Sequence, residues 1–150
     1  MRAIIQRVTQ AQVSIANEVT GEIEQGFVIF LGVGAEDAES EADFLWRKIS
    51  RMRIFADAAG KTNLDLNTVG GNLLIISQFT LYADCKKGNR PSFTKAASPE
   101  LGKTLYEYFL ELARKEFPKV QSGEFGAEMA VSLVNDGPFT IILDTEELKK

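Results

Sequence analysis

Histidine is absent from the 150 residues, and cysteine occurs once, at Cys85. The first absence excludes Ser-His-Asp and Cys-His nucleophile machinery. The two together exclude a zinc site built on imidazole and thiolate ligands. A lone cysteine forms no internal disulfide, and such sparing use points to a reducing, cytoplasmic setting. No apolar run approaches the roughly 20 residues that span a bilayer, so no membrane association is expected. Polar and charged residues interrupt the opening MRAIIQRVTQAQVSI, unlike the core of a signal peptide. Basic charge is also scarce: 17 Lys and Arg against 21 Asp and Glu leave a net charge of −4. That argues against a broad nucleic-acid footprint, DNA included, because phosphate contacts require clustered cations. The exception is local. Lys86, Lys87, Arg90 and Lys95 fall within ten residues, enough to hold a few phosphates. If the chain is an enzyme, its chemistry comes from main-chain groups, hydroxyls, carboxylates or the substrate itself. No motif implies a cofactor or a metal.

What is present reads as a single α+β domain spanning residues 1–150, long enough to bury a substantial core. Residues 2–15 alternate as a strand, and ANEVTGEI turns into a second, making a hairpin. GFVIFLGVG, residues 26–34, is a continuous apolar run bounded by glycines, as in a strand covered on both faces. EDAESEADFLWRKISRM carries acids early and bases late, with Phe44, Leu45, Ile49 and Met52 at helical spacing. RIF starts a further strand, followed by an irregular or hairpin-like connection. NLLIISQFTLYAD, residues 72–84, reads as a long central strand, and CKKGNRPSFTKAA as a basic loop. Ser98 and Pro99 open a second helix as N-cap and first residue, with Leu101, Leu105, Tyr108, Phe109 and Leu112 as its apolar stripe and Pro118 as its stop. KVQSGEF, AEMAVSLV and FTIILD supply two or three closing strands. The sum predicts a mainly antiparallel, barrel-like β-sheet with two packed helices.

Several short patterns yield to plainer readings. GVGAED begins like a dinucleotide fingerprint, but Asp37 stands where the third glycine belongs. SFTK, Ser92 to Lys95, matches a Ser-x-x-Lys tetrapeptide without its companion motifs. DLNTVG lacks the closing Glu of a calcium loop and reads as a turn. Cys85 beside Lys86 and Lys87 has no neighbouring base and reads as an incidental thiol, and Trp46 reads as core.

Two stretches resist such readings. In SQFTLYAD, three polar side chains (Ser77, Gln78 and Thr80) follow directly on the buried-looking LLII. Buried without partners they would be costly, so they are either a satisfied polar cluster or the lip of a pocket. NDGPFT, residues 135–140, separates two strand-like runs. Its Gly-Pro pair suits a turn, or a main-chain edge that approaches a ligand with no side chain in the way.

SQFTLYAD, the following KKGNRPSF, the late NDGPFT, the opening MRAIIQRVTQAQVSI and GFVIFLGVG together resemble the D-aminoacyl-tRNA deacylase family, nearly end to end. The resemblance implies a homodimeric hydrolase that acts on the 3′ acceptor end of aminoacyl-tRNA and frees tRNA from D-amino acids. It implies that Ser77, Gln78, Phe79 and Thr80 line the catalytic pocket; without histidine, the expected chemistry is hydrolysis assisted by the substrate's own ribose hydroxyl, with main-chain N–H groups around Phe79 and Thr80 as the oxyanion hole. It further implies a cis Gly137–Pro138 bond that reaches the partner subunit's pocket, with Arg7 as its buttress and Asn135 and Thr140 in support. Lys86, Lys87 and Arg90 are then candidate tRNA phosphate contacts. Two other functions compete on sequence alone: a non-catalytic RNA-binding module using Lys86 to Lys95, and an editing domain of the kind attached to some threonyl-tRNA synthetases.

Overall fold

A computed structural model describes every residue from Met1 to Lys150. Strand β1 (Arg2–Ile15) is the spine of the sheet. Its first half pairs antiparallel with β3 (Gly26–Gly32) and its second half with β2 (Glu18–Ile23), while its other edge pairs along its length with β8 (Ala130–Asp144). Beyond β3 lie β6 (Asn72–Ser77) and β7 (Val120–Ser122), both added in parallel. Gly21 of β2 comes close to Gln121 and Ser122 of β7, so the sheet curls nearly shut. It is therefore mixed, where the sequence suggested a mainly antiparallel one. The reason is connectivity. Helix α1 (Glu39–Ser50) carries the chain across between β3 and β6, and α2 (Pro99–Glu116) between β6 and β7, and strands joined by such crossovers run parallel. A small hairpin of β4 (Arg53–Ala56) and β5 (Thr62–Asp65) stands apart from the sheet.

The curl explains the uninterrupted apolar runs. Phe27, Ile29, Leu31, Leu73 and Ile75 face the helices, where they join Leu45, Trp46, Ile49, Leu105, Tyr106 and Phe109. The alternate residues Val28, Leu74 and Ile76 face the barrel interior with Val8, Val13 and Ile23. Both faces are covered, so neither has room for a polar residue. Trp46 is core, as its sequence context suggested: its ring meets Phe109 and Phe117 edge-on, and its Nε1 donates to Glu116. Ser98 caps α2 by accepting from the Leu101 N–H at 3.3 Å. The buried stripe of α2 is centred on Leu105, Tyr106, Phe109, Leu110 and Ala113, leaving Tyr108 and Leu112 at its margin. A short third helix, α3 (Thr145–Leu148), ends the fold.

Two boundaries differ from the sequence reading, and both bear on function. The strand expected over 72–84 stops at Ser77, and a 3₁₀ turn covers Phe79–Tyr82. Its ladder partner β3 ends at Gly32, so after a last bond from the Gln78 N–H to the Leu31 carbonyl the chain has no strand to follow. It folds instead over Gly32, where a Cβ would lie only 3.0 Å from the Gln78 carbonyl oxygen. The closing strands AEMAVSLV and FTIILD are one continuous strand, β8, with NDGPFT inside it. Val8 pairs with Asn135 and Gln6 with Thr140, so Arg7 alone stands opposite residues 136–139, which are pushed out of the ladder as a bulge.

Candidate active site

A cavity of about 610 Å³ opens where β6 ends. Ser77, Gln78 and Phe79 form one wall. Phe93, Ala97, Ser98, Pro99 and Gly102 form a second, and Phe125, Gly126 and Met129 a third. The walls meet because α2 starts at the mouth, and its Gly102 lets Phe125 approach to 3.2 Å of where a Cβ would be. Phe79, half-exposed, packs edge-on against Phe93 at 5.1 Å. Thr80 lies beside the cavity; its hydroxyl accepts from Gln78 Nε2 at 2.6 Å. The lining contains no Asp, Glu, Lys, Arg, Tyr or Cys. Of the lining side chains, only Ser77, Gln78 and Ser98 can join the main chain in touching a bound molecule polarly. The polar strand end is thus a pocket lip rather than a buried cluster.

Phe93 and the residues 97–102 and 125–129 are walls that sequence reasoning missed. A faint signal existed in Gly102: a glycine inside a helix costs roughly 1 kcal/mol against alanine and so marks a close approach.

The bulge forms a second, separate feature. Its Gly137–Pro138 peptide is cis, both residues are exposed, and neither lines the cavity of its own chain. Gly137 has φ of +140°, and a Cβ there would lie 3.2 Å from a terminal nitrogen of Arg7. Arg7, opposite the bulge, holds it from below. Its Nε donates to the Asp136 carbonyl at 3.0 Å and its Nη1 to the Ile54 carbonyl of β4 at 2.5 Å, and its guanidinium lies 4.6 Å from the Phe139 ring centre. Asn135 spans the bulge, accepting from the Phe139 N–H at 2.6 Å and donating to the Thr140 hydroxyl at 3.0 Å. Gln6 donates to the same hydroxyl. An exposed edge of main chain is thereby fixed at both ends.

The remaining sequence candidates fall elsewhere. Lys86 lines a different cleft, while Lys87 and Arg90 are exposed and lie outside both. Asp37 of GVGAED accepts from the Gly34 N–H and from the α-amino group of Met1, closing its own loop. Asp65 of DLNTVG accepts from the N–H and hydroxyl of Thr68, closing its own local turn.

The sequence from residue 4 to residue 144 matches the family model described as D-Tyr-tRNA(Tyr) deacylase. The chain belongs to that family. A curated relative from Thermosipho melanesiensis, named D-aminoacyl-tRNA deacylase, is 52% identical over 99% of both chains. One of the same name from Lacticaseibacillus casei is 54% identical over 97% of this chain and 99% of its own. Among solved structures, one titled c-Myc DNA Unwinding Element Binding Protein superposes with a TM-score of 0.91 at 38% identity, covering 96% of this chain and 98% of that one. A second, titled as a probable eukaryotic D-amino acid tRNA deacylase, superposes at 0.81 with 17% identity over 95% and 97%, a likeness of fold.

Proposed function

We propose that this enzyme hydrolyses the ester joining a D-amino acid to the 3′ end of tRNA, as a homodimer in which each Gly137–Pro138 edge guards the partner subunit's cavity. Family membership and full-length relatives at about half identity support the activity itself. The observation that carries the mechanism is the cavity lining, which holds no titratable side chain. General acid–base catalysis by the protein has no candidate group there. The reactive groups must therefore come with the substrate. The terminal ribose of an aminoacyl-tRNA presents a hydroxyl next to the ester, and held in place it activates water or engages the carbonyl by proximity. Aromatic and apolar walls suit the faces of a terminal base and sugar. The main-chain N–H groups of Phe79 and Thr80, the first two residues of a 3₁₀ turn, have no carbonyl within that turn to pair with. They are the oxyanion donors in this reading, each worth on the order of 10²–10³ in rate.

Selection of hand follows from exclusion. A rigid edge of main chain beside the substrate α-carbon collides with an L side chain and leaves room for a D side chain. Glycine has nothing to collide, so glycyl-tRNA is accepted too. Because the edge does not reach the cavity of its own chain, it acts across a dimer interface. Val134 and Ile142 flank the bulge on β8 with 47% and 72% of their surface exposed, and Phe79 beside the cavity exposes 55%, apolar area that a second copy would cover. The basic residues Lys86, Lys87 and Arg90 contact tRNA phosphates.

Deacylation of matched D- and L-tyrosyl-tRNA tests the activity: the D ester is cleaved and the L ester spared, whereas tRNA binding with no release of either amino acid would favour a plain RNA-binding module. Removal of L-serine from tRNA would point to an editing domain. A 3′-esterified tRNA ending in 2′-deoxyadenosine tests the mechanism. It should be a poor substrate, with Thr80→Val nearly intact; the reverse pattern would make Thr80 the nucleophile.

A further inference from the structure

The 3₁₀ turn that borders the catalytic cavity has a second cleft on its other side, of about 400 Å³. Phe79, at the start of the turn, lines the cavity, while Tyr82, at its end, lines the cleft. The next segment behaves alike: Phe93 and Ala96 face the cavity, and Lys95 between them faces the cleft. The two spaces therefore share both walls, one to three residues apart.

Three cations, Arg2, Lys86 and Lys95, line the cleft against one carboxylate, Asp84. Their states differ. Arg2 is engaged: its Nε donates to Asp144 at 2.7 Å, its Nη1 to the Leu81 carbonyl at 3.0 Å, and its guanidinium lies over the Tyr82 ring at 4.5 Å. Asp84 is also occupied, accepting from the Lys86 N–H at 2.9 Å. The Lys86 and Lys95 ammonium groups make no ion pair and no hydrogen bond, and neither do the charged ends of Lys87 and Arg90 nearby. In a chain of net charge −4, Lys86 and Lys95 thus line this cleft with neither ammonium paired, one shared wall away from the cavity.

We infer that this cleft, walled by Arg2 and Tyr82 and charged by Lys86 and Lys95, is an anion site for the backbone phosphates of the single-stranded nucleotides just before the esterified terminal nucleoside. The inference rests on the proposed activity and deepens it, adding Arg2, Tyr82 and Lys95 and a position for the strand. The terminal nucleoside ester occupies the uncharged cavity, and the strand leading to it crosses the shared wall into the cleft. The catalytic cavity has no charge with which to hold a polyanion, so affinity for tRNA over a free aminoacyl nucleoside must arise outside it. Arg2, fixed by Asp144 and Leu81, keeps the cleft in shape, and the two free lysines supply the attraction. Each phosphate so neutralised releases counterions, which makes the contribution salt-dependent.

The test compares D-tyrosyl-tRNA with D-tyrosyl-adenosine, which has the ester but no phosphodiester, using Lys86→Gln/Lys95→Gln. Both lysines are exposed and unpaired, so the variant retains its fold. The ratio of kcat/KM on tRNA to kcat/KM on the nucleoside should fall by about tenfold or more at low salt, mostly through KM, and the salt slope for tRNA should flatten by about two. An unchanged ratio, or an unchanged salt slope, would overturn the assignment. If the unaltered protein cleaves neither ester, the catalytic reading fails instead. Binding of uncharged tRNA then decides the cleft alone: weakening by the double substitution is expected, and undiminished binding would overturn it.

Discussion

Arg7→Lys probes the handedness filter without touching the cavity. Arg7 uses two separate nitrogens to join the Asp136 carbonyl of the bulge to the Ile54 carbonyl of the outlying hairpin, and lays its plane on Phe139. Its side chain is 15% exposed, so these bonds are shielded from water, although its ionic partner Asp136 is 43% exposed at 3.5 Å. Lysine has one point charge and no fork, so it can keep one carbonyl and must release the other. The loss is one charge-assisted hydrogen bond, about 1.5–3 kcal/mol, plus part of a cation–π contact of about 0.5–1 kcal/mol. If about 2 kcal/mol of that stiffness is what keeps the edge from yielding to an L side chain, discrimination falls roughly 30-fold, since 1.4 kcal/mol is tenfold. The assay is the ratio of D- to L-tyrosyl-tRNA deacylation rates, read beside a thermal melt. The expected outcome is a reduced ratio caused by faster cleavage of the L ester, with the D rate changed much less. A variant that melts lower yet retains the full ratio would refute the claim that a braced bulge sets the selectivity.

Two further predictions concern the frame. The Glu41 carboxyl is held down to about 2 from an ordinary 4.5, first by the Lys149 ammonium and then by the Ala38 N–H and the Ser40 hydroxyl. A lowered carboxyl stabilises the fold in full above its unfolded value and loses that contribution as pH falls toward its folded one. The stability gap between the parent and Glu41→Gln should thus be present at neutral pH, under about 1 kcal/mol for so superficial a pair, and close between about pH 4.5 and 2. A gap that survives at the acid end would contradict it. Gly26→Ala would place its Cβ 1.9 Å from the Asn72 carbonyl oxygen, between parallel neighbours β3 and β6. Since main chain on both sides must move, a cost of about 1–3 kcal/mol or more is expected in denaturant unfolding; an unaltered midpoint would show that the strands meet differently.

The elements that carry their own local signal could be read from sequence. Helix α2 announces itself through Ser98, Pro99 and Pro118, and β3 and β6 through apolar runs that only a doubly covered strand tolerates. What could not be read depends on partners distant in the chain. The strand through LLIISQ stops because β3 stops, and nothing in Gln78 or Phe79 records where β3 ends. The parallel pairing of β6 with β3 and β7 depends on where α1 and α2 dock, a fact of packing rather than of alternation. At the site, Ser77, Gln78 and Thr80 stood out because polar side chains after a buried run demand an explanation, although only the first two line the cavity. Phe93, Phe125 and Met129 are apolar residues on three different segments, and apolar residues in loops look alike until the fold brings them together. The Gly137–Pro138 pair was conspicuous, but its chemistry suits a turn equally well. Only the register of β8 on β1 shows a bulge in mid-strand instead of a turn between two strands.

The central claim is that the main chain, acting as a steric edge, chooses which esters are cleaved, with the cavity contributing no titrating group. The most direct measurement is the deacylation rate of one tRNA carrying D-alanine, glycine or L-alanine in turn, three esters that differ only in the presence and hand of a methyl group. The account predicts cleavage of the D-alanyl and glycyl esters and survival of the L-alanyl ester. Equal turnover of the glycyl and L-alanyl esters would contradict it.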